Sequence, residues 1–230
     1  MLIMGIQKLT LLDYPGKMAA TVFTGGCNFR CPFCHNASLV LPKDYEPQFS
    51  ESEFFEFLEK RRGILEGVCI TGGEPTLQKD LPEFIRKIKS LGFLVKLDTN
   101  GYLPNKLQAL LEEGIVDYVA MDIKNSLSKY GVTVGIENFN TSPIEESVNI
   151  LKNSGIPFEF RTTLVKNFHT ETDLEQIGNW LGSDVKYFLQ SFKDSGDLIE
   201  SSLVGFDENE MKNLLKVLKP LVPSAEIRGI

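Results

Sequence analysis

Six short apolar runs punctuate the chain: residues 18–23 (MAATVF), 67–71 (GVCIT), 93–99 (FLVKLDT), 117–123 (DYVAMDI), 157–165 (PFEFRTTLV) and 185–190 (VKYFLQ). They are rich in Val, Ile, Phe and Tyr, and several are continuous rather than alternating. That suits strands buried on both faces of a parallel sheet. Between the runs, apolar residues recur at helical spacing behind readable caps. Ser50 with Glu53 is a capping-box pair ahead of Phe54, Phe55 and Leu58. Asp80 is placed to cap a helix with Leu81, Phe84, Ile85, Ile88 and Leu91 on one face, stopped by Gly92. Leu107, Leu110 and Leu111 precede Gly114, and Ser142 with Pro143 and Glu145 repeats the start signature ahead of Gly155. Thr170 opens a helix carrying Leu174, Ile177 and Leu181, and Asp207 opens a last one with Met211, Leu214, Leu215 and Leu218.

Strands alternating with helices predict a parallel α/β sheet with right-handed crossovers. Periodicity leaves an open sheet and a barrel-like closure equally available. In both, function gathers at the carboxyl ends of the strands. The notable polar sequences fall there: T-G-G-C after the first run, T-G-G-E-P after the second, D-T-N-G after the third and M-D-I-K at the fourth.

Composition narrows the classes. The 230 residues are 42% apolar and 24% charged, globular values that argue against a disordered or fibrous chain. The length and the lack of any linker-like stretch favour a single domain over residues 1–230. A net charge of −7 without a basic stripe speaks against a nucleic-acid partner. No apolar run has the length of a membrane span, and no basic-then-apolar leader opens the chain, so the expectation is no membrane and a cytoplasmic location. Of four cysteines, Cys27, Cys31 and Cys34 lie within eight positions and Cys69 stands alone in an apolar run, where it reads as a small core residue. In a reducing compartment such a cluster points to a metal or to redox chemistry.

The spacing is C-x3-C-x2-C. One loop with that spacing can wrap a compact centre, and thiolates are the soft ligands that iron–sulfur clusters and zinc take. Structural zinc with His35 as fourth ligand is the plainer alternative, although adjacent residues seldom reach one small ion together. On a four-iron cluster, three thiolates leave one iron open to another ligand.

The C-x3-C-x2-C loop after the first run, with G-G-E-P after the second, resembles the radical S-adenosylmethionine (SAM) superfamily. Within it, L-L-D-Y-P-G-K, C-H-N, D-T-N-G and A-M-D-I-K are similar to the glycyl-radical-enzyme activases, above all the activating proteins of anaerobic ribonucleotide reductase, related to pyruvate formate-lyase activase. The resemblance runs over residues 5–229 and implies a partial, open (β/α)6 TIM-like barrel. By that resemblance Cys27, Cys31 and Cys34 hold a 4Fe–4S cluster whose fourth iron binds SAM, and reductive cleavage yields methionine and a 5′-deoxyadenosyl radical.

The same resemblance places Phe33 against adenine and gives Gly72, Gly73 and Glu74 the methionyl amino group. The two glycines would let the backbone approach that ligand closely. Asp98 and Asp122 correspond to ligands of a monovalent cation, Na+ or K+, with pairing to Lys124 as the alternative. Asn100 and Lys124 become contacts to ribose, SAM carboxylate or substrate, and Arg161 falls near the SAM carboxylate. Phe192 stands where pyruvate formate-lyase activase has a histidine. No second cysteine-rich module separates Cys34 from Gly72, so a second cluster is not expected. His169, before a helix cap, reads as a surface residue. The implied partners are a glycyl radical enzyme as protein substrate and flavodoxin or ferredoxin as electron donor. Two rivals remain: a radical SAM enzyme acting on a small molecule, of the deazapurine-synthase type, and a zinc-binding interaction module.

Overall fold

The computed structural model describes residues 1–41, 46–194 and 196–229. All six predicted runs are strands, and the described residues form one eight-stranded sheet whose order follows the sequence. Strands β1 (Ile3–Thr10), β2 (Ala19–Thr24), β3 (Gly67–Gly72), β4 (Leu94–Thr99), β5 (Tyr118–Asp122), β6 (Phe158–Leu164), β7 (Tyr187–Ser191) and β8 (Glu226–Arg228) lie side by side. The β1–β2 pair is antiparallel and every later pair is parallel. The sheet does not close on itself, since β1 and β8 remain edges. This is the open, partial barrel that the sequence leads one to expect, extended by a strand at each end. Neither extra strand was expected: β1 carries an exposed Gln-Lys-Leu stretch, and β8 is three residues long.

The helices α1 (Ala37–Val40), α2 (Glu51–Glu59), α3 (Leu81–Ser90), α4 (Pro104–Glu112), α5 (Tyr130–Val134), α6 (Ser142–Asn153), α7 (Glu171–Leu181) and α8 (Glu208–Leu218) fill the crossovers. Ser50–Glu53, Thr170–Asp173 and Asp207–Glu210 are complete capping boxes. Two predicted caps differ. Asp80 flanks α3 without capping it, because its carboxylate is taken by the amino group of Met1. Ser142 lies inside α6; Thr141 precedes it, and its hydroxyl donates to Glu145 at 2.9 Å instead of forming a capping box.

The two sheet faces have opposite chemistry. Val68, Ile70, Val95, Leu97, Val119, Met121 and Phe160 belong to the apolar core shared with helix residues such as Phe54, Phe84, Val148 and Ile177. Most of the alternate residues are polar or charged, with Cys69 and Ala120 as small members among them. Cys69, Lys96 and Tyr118 are register partners across β3, β4 and β5, as are Asp122 and Arg161 across β5 and β6. The runs read as uniformly buried because these groups are buried too, in ion pairs and hydrogen bonds. Within the apolar layer, Phe54 is fully buried and stacks on Phe84, with centroids 5.4 Å apart and planes at 21°.

Replacing Phe54 by Ala should lower the urea unfolding free energy by about 3–5 kcal/mol, the cost of a large cavity. Leu12→Ala, at a side chain 89% exposed, should change it by no more than about 0.5 kcal/mol.

Candidate active site

At the carboxyl ends of β2 to β7 a cavity of ≈ 340 Å³ opens. It is lined by Cys27, Cys31 and Cys34, by Phe33 and His35, by Gly72, Gly73 and Glu74, and by Asp98, Asn100, Asp122, Lys124 and Arg161. Every residue singled out in the sequence for the site thus reaches one cavity. Thr163, Gln190 and Ser191 complete the wall towards β7 and were not foreseen; small polar residues at strand ends carry no motif of their own.

The cysteine loop starts at the end of β2 and is held from three sides. Next to it, the Gly73 N–H donates to the Thr24 carbonyl and the Glu74 N–H to the Gly26 carbonyl, both at 2.8 Å. A Cβ on Gly73 would stand 2.0 Å from the Gly26 oxygen, and one on Gly72, whose φ is +121°, 2.2 Å from the Thr24 nitrogen. The glycines are therefore required by the contact between two strand-end loops, so a side chain there meets the cysteine loop itself before it meets any ligand. On the far side, the carboxylate of Asp197 accepts from the Ser38 N–H and hydroxyl, and the Glu200 N–H donates to Pro32. The segment after β7 thereby reaches across to the loop after β2. Phe192 packs edge-on against His35 at 5.1 Å.

Glu74 is 1% exposed, and both its oxygens are engaged inside the protein. One accepts from the Thr76 N–H at 3.0 Å, the Thr76 hydroxyl and the Thr99 hydroxyl at 2.8 Å; the other accepts from the Asn100 N–H at 2.6 Å. Burial pushes its carboxyl above the usual range, and these donors oppose the shift. Its side chain fastens the β3 loop to the β4 loop. Any amino group approaching here would meet the backbone carbonyls of the Gly-Gly-Glu turn, since the carboxylate is already surrounded by donors.

Beside it runs a file of alternating charges. Asp98 accepts from Lys96 and from Arg161 at 3.2 Å; Asp122 accepts from Arg161 at 2.9 Å and from Lys124 at 2.9 Å. All four carboxylate oxygens thus face cationic side chains. The structure gives the paired arrangement for Asp98 and Asp122 rather than an oxygen cage around a small cation. Among the described residues, no group of three or more His, Cys, Asp or Glu converges on a single metal ion. Burial alone would raise Asp122, but Arg161 and Lys124 outweigh it and hold its carboxyl down at about 2. Lys124 stays charged for the reciprocal reason.

The thiols are buried or half-buried. Desolvation pushes Cys27 up to about 11 and Cys31 to about 12, and Lys124 is the cation that counteracts it. Thiols in this state hold their protons at neutral pH until a cation or metal takes its place. Phe33 is 4% exposed and packs on Phe168 at 5.6 Å and His169 at 6.2 Å. His169 is not a surface residue: it is 2% exposed. The Val165 N–H donates to its Nδ1 at 3.1 Å, which leaves the proton on Nε2 to donate to the Lys124 carbonyl at 2.8 Å. The imidazole thus fixes the backbone that presents Lys124 to the thiols. A lone histidine before a helix cap gave no sign of this.

The fold and this site define a family. A radical SAM superfamily model matches residues 21–181, and the chain belongs to that superfamily. Over its whole length the chain is 34% identical to a protein of Methanocaldococcus jannaschii provisionally named a glycyl-radical enzyme activating enzyme, of which it covers 96%. It is also 28% identical over 88% of its length to a protein of Sulfurisphaera tokodaii provisionally named a GTP 3′,8-cyclase, of which it spans 64%. In three dimensions it matches Streptococcus suis SuiB bound to precursor peptide SuiA, with a TM-score of 0.70 over 91% of this chain and 48% of that one. At 13% identity that likeness is one of fold.

Membership implies a 4Fe–4S cluster and SAM. The residues fit them: three thiols border one cavity with a lysine facing them, and the buried Asn28 side-chain nitrogen beside Cys27 has no hydrogen-bond partner in the structure.

Anaerobic reconstitution should load about four irons per chain. Cys27→Ala, Cys31→Ala or Cys34→Ala should abolish loading, and Cys69→Ala should not. Gly73→Ala should also lower iron content while circular dichroism stays native, because the added carbon displaces the Gly26 carbonyl; full loading would refute that account of the glycine. Asp122 gives an acid signature. Its folded pKa lies below the unfolded value, so its stabilisation is complete above about pH 5 and disappears as pH falls through about 2, a change of about 2 kcal/mol. Asp122→Asn should flatten that limb of the stability profile and lower stability at pH 7, where Arg161 and Lys124 lose their partner.

Proposed function

We propose that residues 1–230 act as a single radical SAM domain that activates a glycyl radical enzyme by removing hydrogen from a glycine Cα of that partner. The observation that carries this reading is the full-length similarity to a protein provisionally given that activity, which extends from the cysteine loop through the strands lining the site. Anaerobic ribonucleotide reductase and pyruvate formate-lyase are the partner types in view, with flavodoxin or ferredoxin as electron donor in an oxygen-poor cytoplasm.

In this reading Cys27, Cys31 and Cys34 hold the cluster. When bound and reduced it supplies the electron that cleaves SAM to methionine and a 5′-deoxyadenosyl radical, which takes the glycine hydrogen as 5′-deoxyadenosine. The chain's own residues do the remaining work. Lys124, with a single bond to Asp122 and its backbone fixed by His169, offers a cation to a ligand carboxylate and to the thiolates. Arg161, committed to both Asp98 and Asp122, keeps that wall rigid. The carbonyls of the Gly72–Glu74 turn accept from an amino group, and Phe33 borders an adenine. Burial of these groups excludes water and strengthens each charge–dipole contact. The sheet's open side admits a peptide loop, and glycine enters because no side chain obstructs it.

The similarity to a cyclase favours one second reading, action on a small molecule. Incubating reduced, reconstituted protein and SAM with a candidate glycyl radical enzyme should produce a doublet electron-paramagnetic-resonance signal, and deuterium placed at the glycine Cα should appear in 5′-deoxyadenosine. Label arriving from GTP or another small molecule, with no protein radical, selects the second reading. In either case Lys124→Ala should weaken SAM binding about tenfold, the loss of about 1.4 kcal/mol, at unchanged iron content.

A further inference from the structure

Two asparagine amides converge on the first cysteine. Asn100 is 5% exposed, and its orientation is fixed because Oδ1 accepts from the Tyr102 N–H at 3.0 Å. Its NH2 group must therefore face the cysteine loop, where it lies 2.8 Å from Asn28 Oδ1 and 3.8 Å from Cys27 Sγ. Its backbone is pinned as well, by the 2.6 Å bond from its N–H to Glu74. Asn28 is oriented in turn: with Oδ1 accepting from Asn100, its NH2 points elsewhere, and that nitrogen is buried with no hydrogen-bond partner in the structure. Asn28 therefore serves as the acceptor that steadies the Asn100 amide.

We propose that Asn100 is a redox-tuning donor: its side-chain N–H donates to the sulfur of Cys27, with Asn28 as the acceptor that steadies the amide, and it raises the reduction potential of the group the three cysteines hold. Reduction adds negative charge that spreads onto the sulfurs, and an N–H aimed at sulfur stabilises that charge more in the reduced state than in the oxidised one. The relay Tyr102 N–H, Asn100, Asn28 runs donor to acceptor throughout, so each bond polarises the next. Cys27 also receives the Phe29 N–H at 3.4 Å, which makes it the thiolate with most donors among those described here. The inference rests on the cluster that family membership implies, and it is independent of the glycyl-radical reading.

The test uses SAM-free reconstituted protein. In a potentiometric titration followed by electron paramagnetic resonance, Asn100→Ala should lower the midpoint. At the wild-type midpoint the reduced-to-oxidised ratio of the Asn100→Ala protein should fall about tenfold, about 59 mV for one electron. Asn100→Asp, which removes the donor and adds a charge, should fall further. Wild-type protein carrying [amide-15N]asparagine should show a 15N coupling to the reduced cluster in pulsed spectra, lost in Asn100→Ala. An unchanged midpoint in Asn100→Ala at full iron content overturns the proposal, and so does the absence of any 15N coupling in the wild type, which decides the matter even if the variant fails to load. A wild-type protein that takes up no iron overturns the cluster as well. Couplings present alongside a failed glycine-label experiment would leave this proposal standing and remove only the glycyl-radical reading.

Discussion

A row of buried and half-buried charges governs this architecture. Lys96, Asp98, Arg161, Asp122 and Lys124 alternate in sign along the concave side of the sheet, linking β4, β5 and β6 through contacts between their side chains. Charges in so poor a solvent are tolerated only when each has an opposite neighbour. Loss of Arg161 leaves both carboxylates short of a partner, and loss of either carboxylate strips Lys96 or Lys124 of its only partner in the row, so the row behaves as a unit. The apolar layer against the helices supplies burial energy. The ionic row instead fixes which strands adjoin and holds a positive end, Lys124, beside the thiols. A site that must bind anionic sulfur and a zwitterionic ligand is thereby given a cation that keeps its proton at any physiological pH.

The second organising contact is between main chains. The turn after β3 touches the turn after β2 so closely that glycine is required on one side, and Glu74 then ties the β3 turn to the β4 turn. Three successive strand ends are thus fastened in order, and the cysteine loop is the outermost of them. The Gly-Gly-Glu sequence is as much a fastening for the cysteine loop as a surface for a ligand.

The inner strands were legible because their β-branched and aromatic runs end in Gly, Asp or Asn at the points where the chain turns towards the site. The cysteine spacing and the Gly-Gly-Glu-Pro sequence were legible for the same reason: they are local. What depends on distant partners was not. Asp80 has the composition of a cap, but the amino group of Met1 competes for its carboxylate. His169 looks exposed until β5 and β6 bring the Lys124 carbonyl to its ring. The pairing of Asp98 and Asp122 with Arg161 follows from strand register, which no single run encodes. The edge strands lack the apolar continuity by which the inner ones are found, since β1 and β8 each have only one neighbouring strand, and Arg228 of β8 is spent on the buried Glu159.

The clasp between Asp197 and Ser38 joins positions 159 residues apart. A growing chain reaches the cysteine loop early but makes the segment that braces it only after seven of the eight strands have been synthesised. The metal-binding loop is therefore an early sequence and a late structure. During synthesis its thiols are exposed to solvent, adventitious metals and oxidants, and the brace that orients them arrives near the end. The order of the strands, and not the cysteine sequence itself, thus sets when the loop gains the brace that orients it.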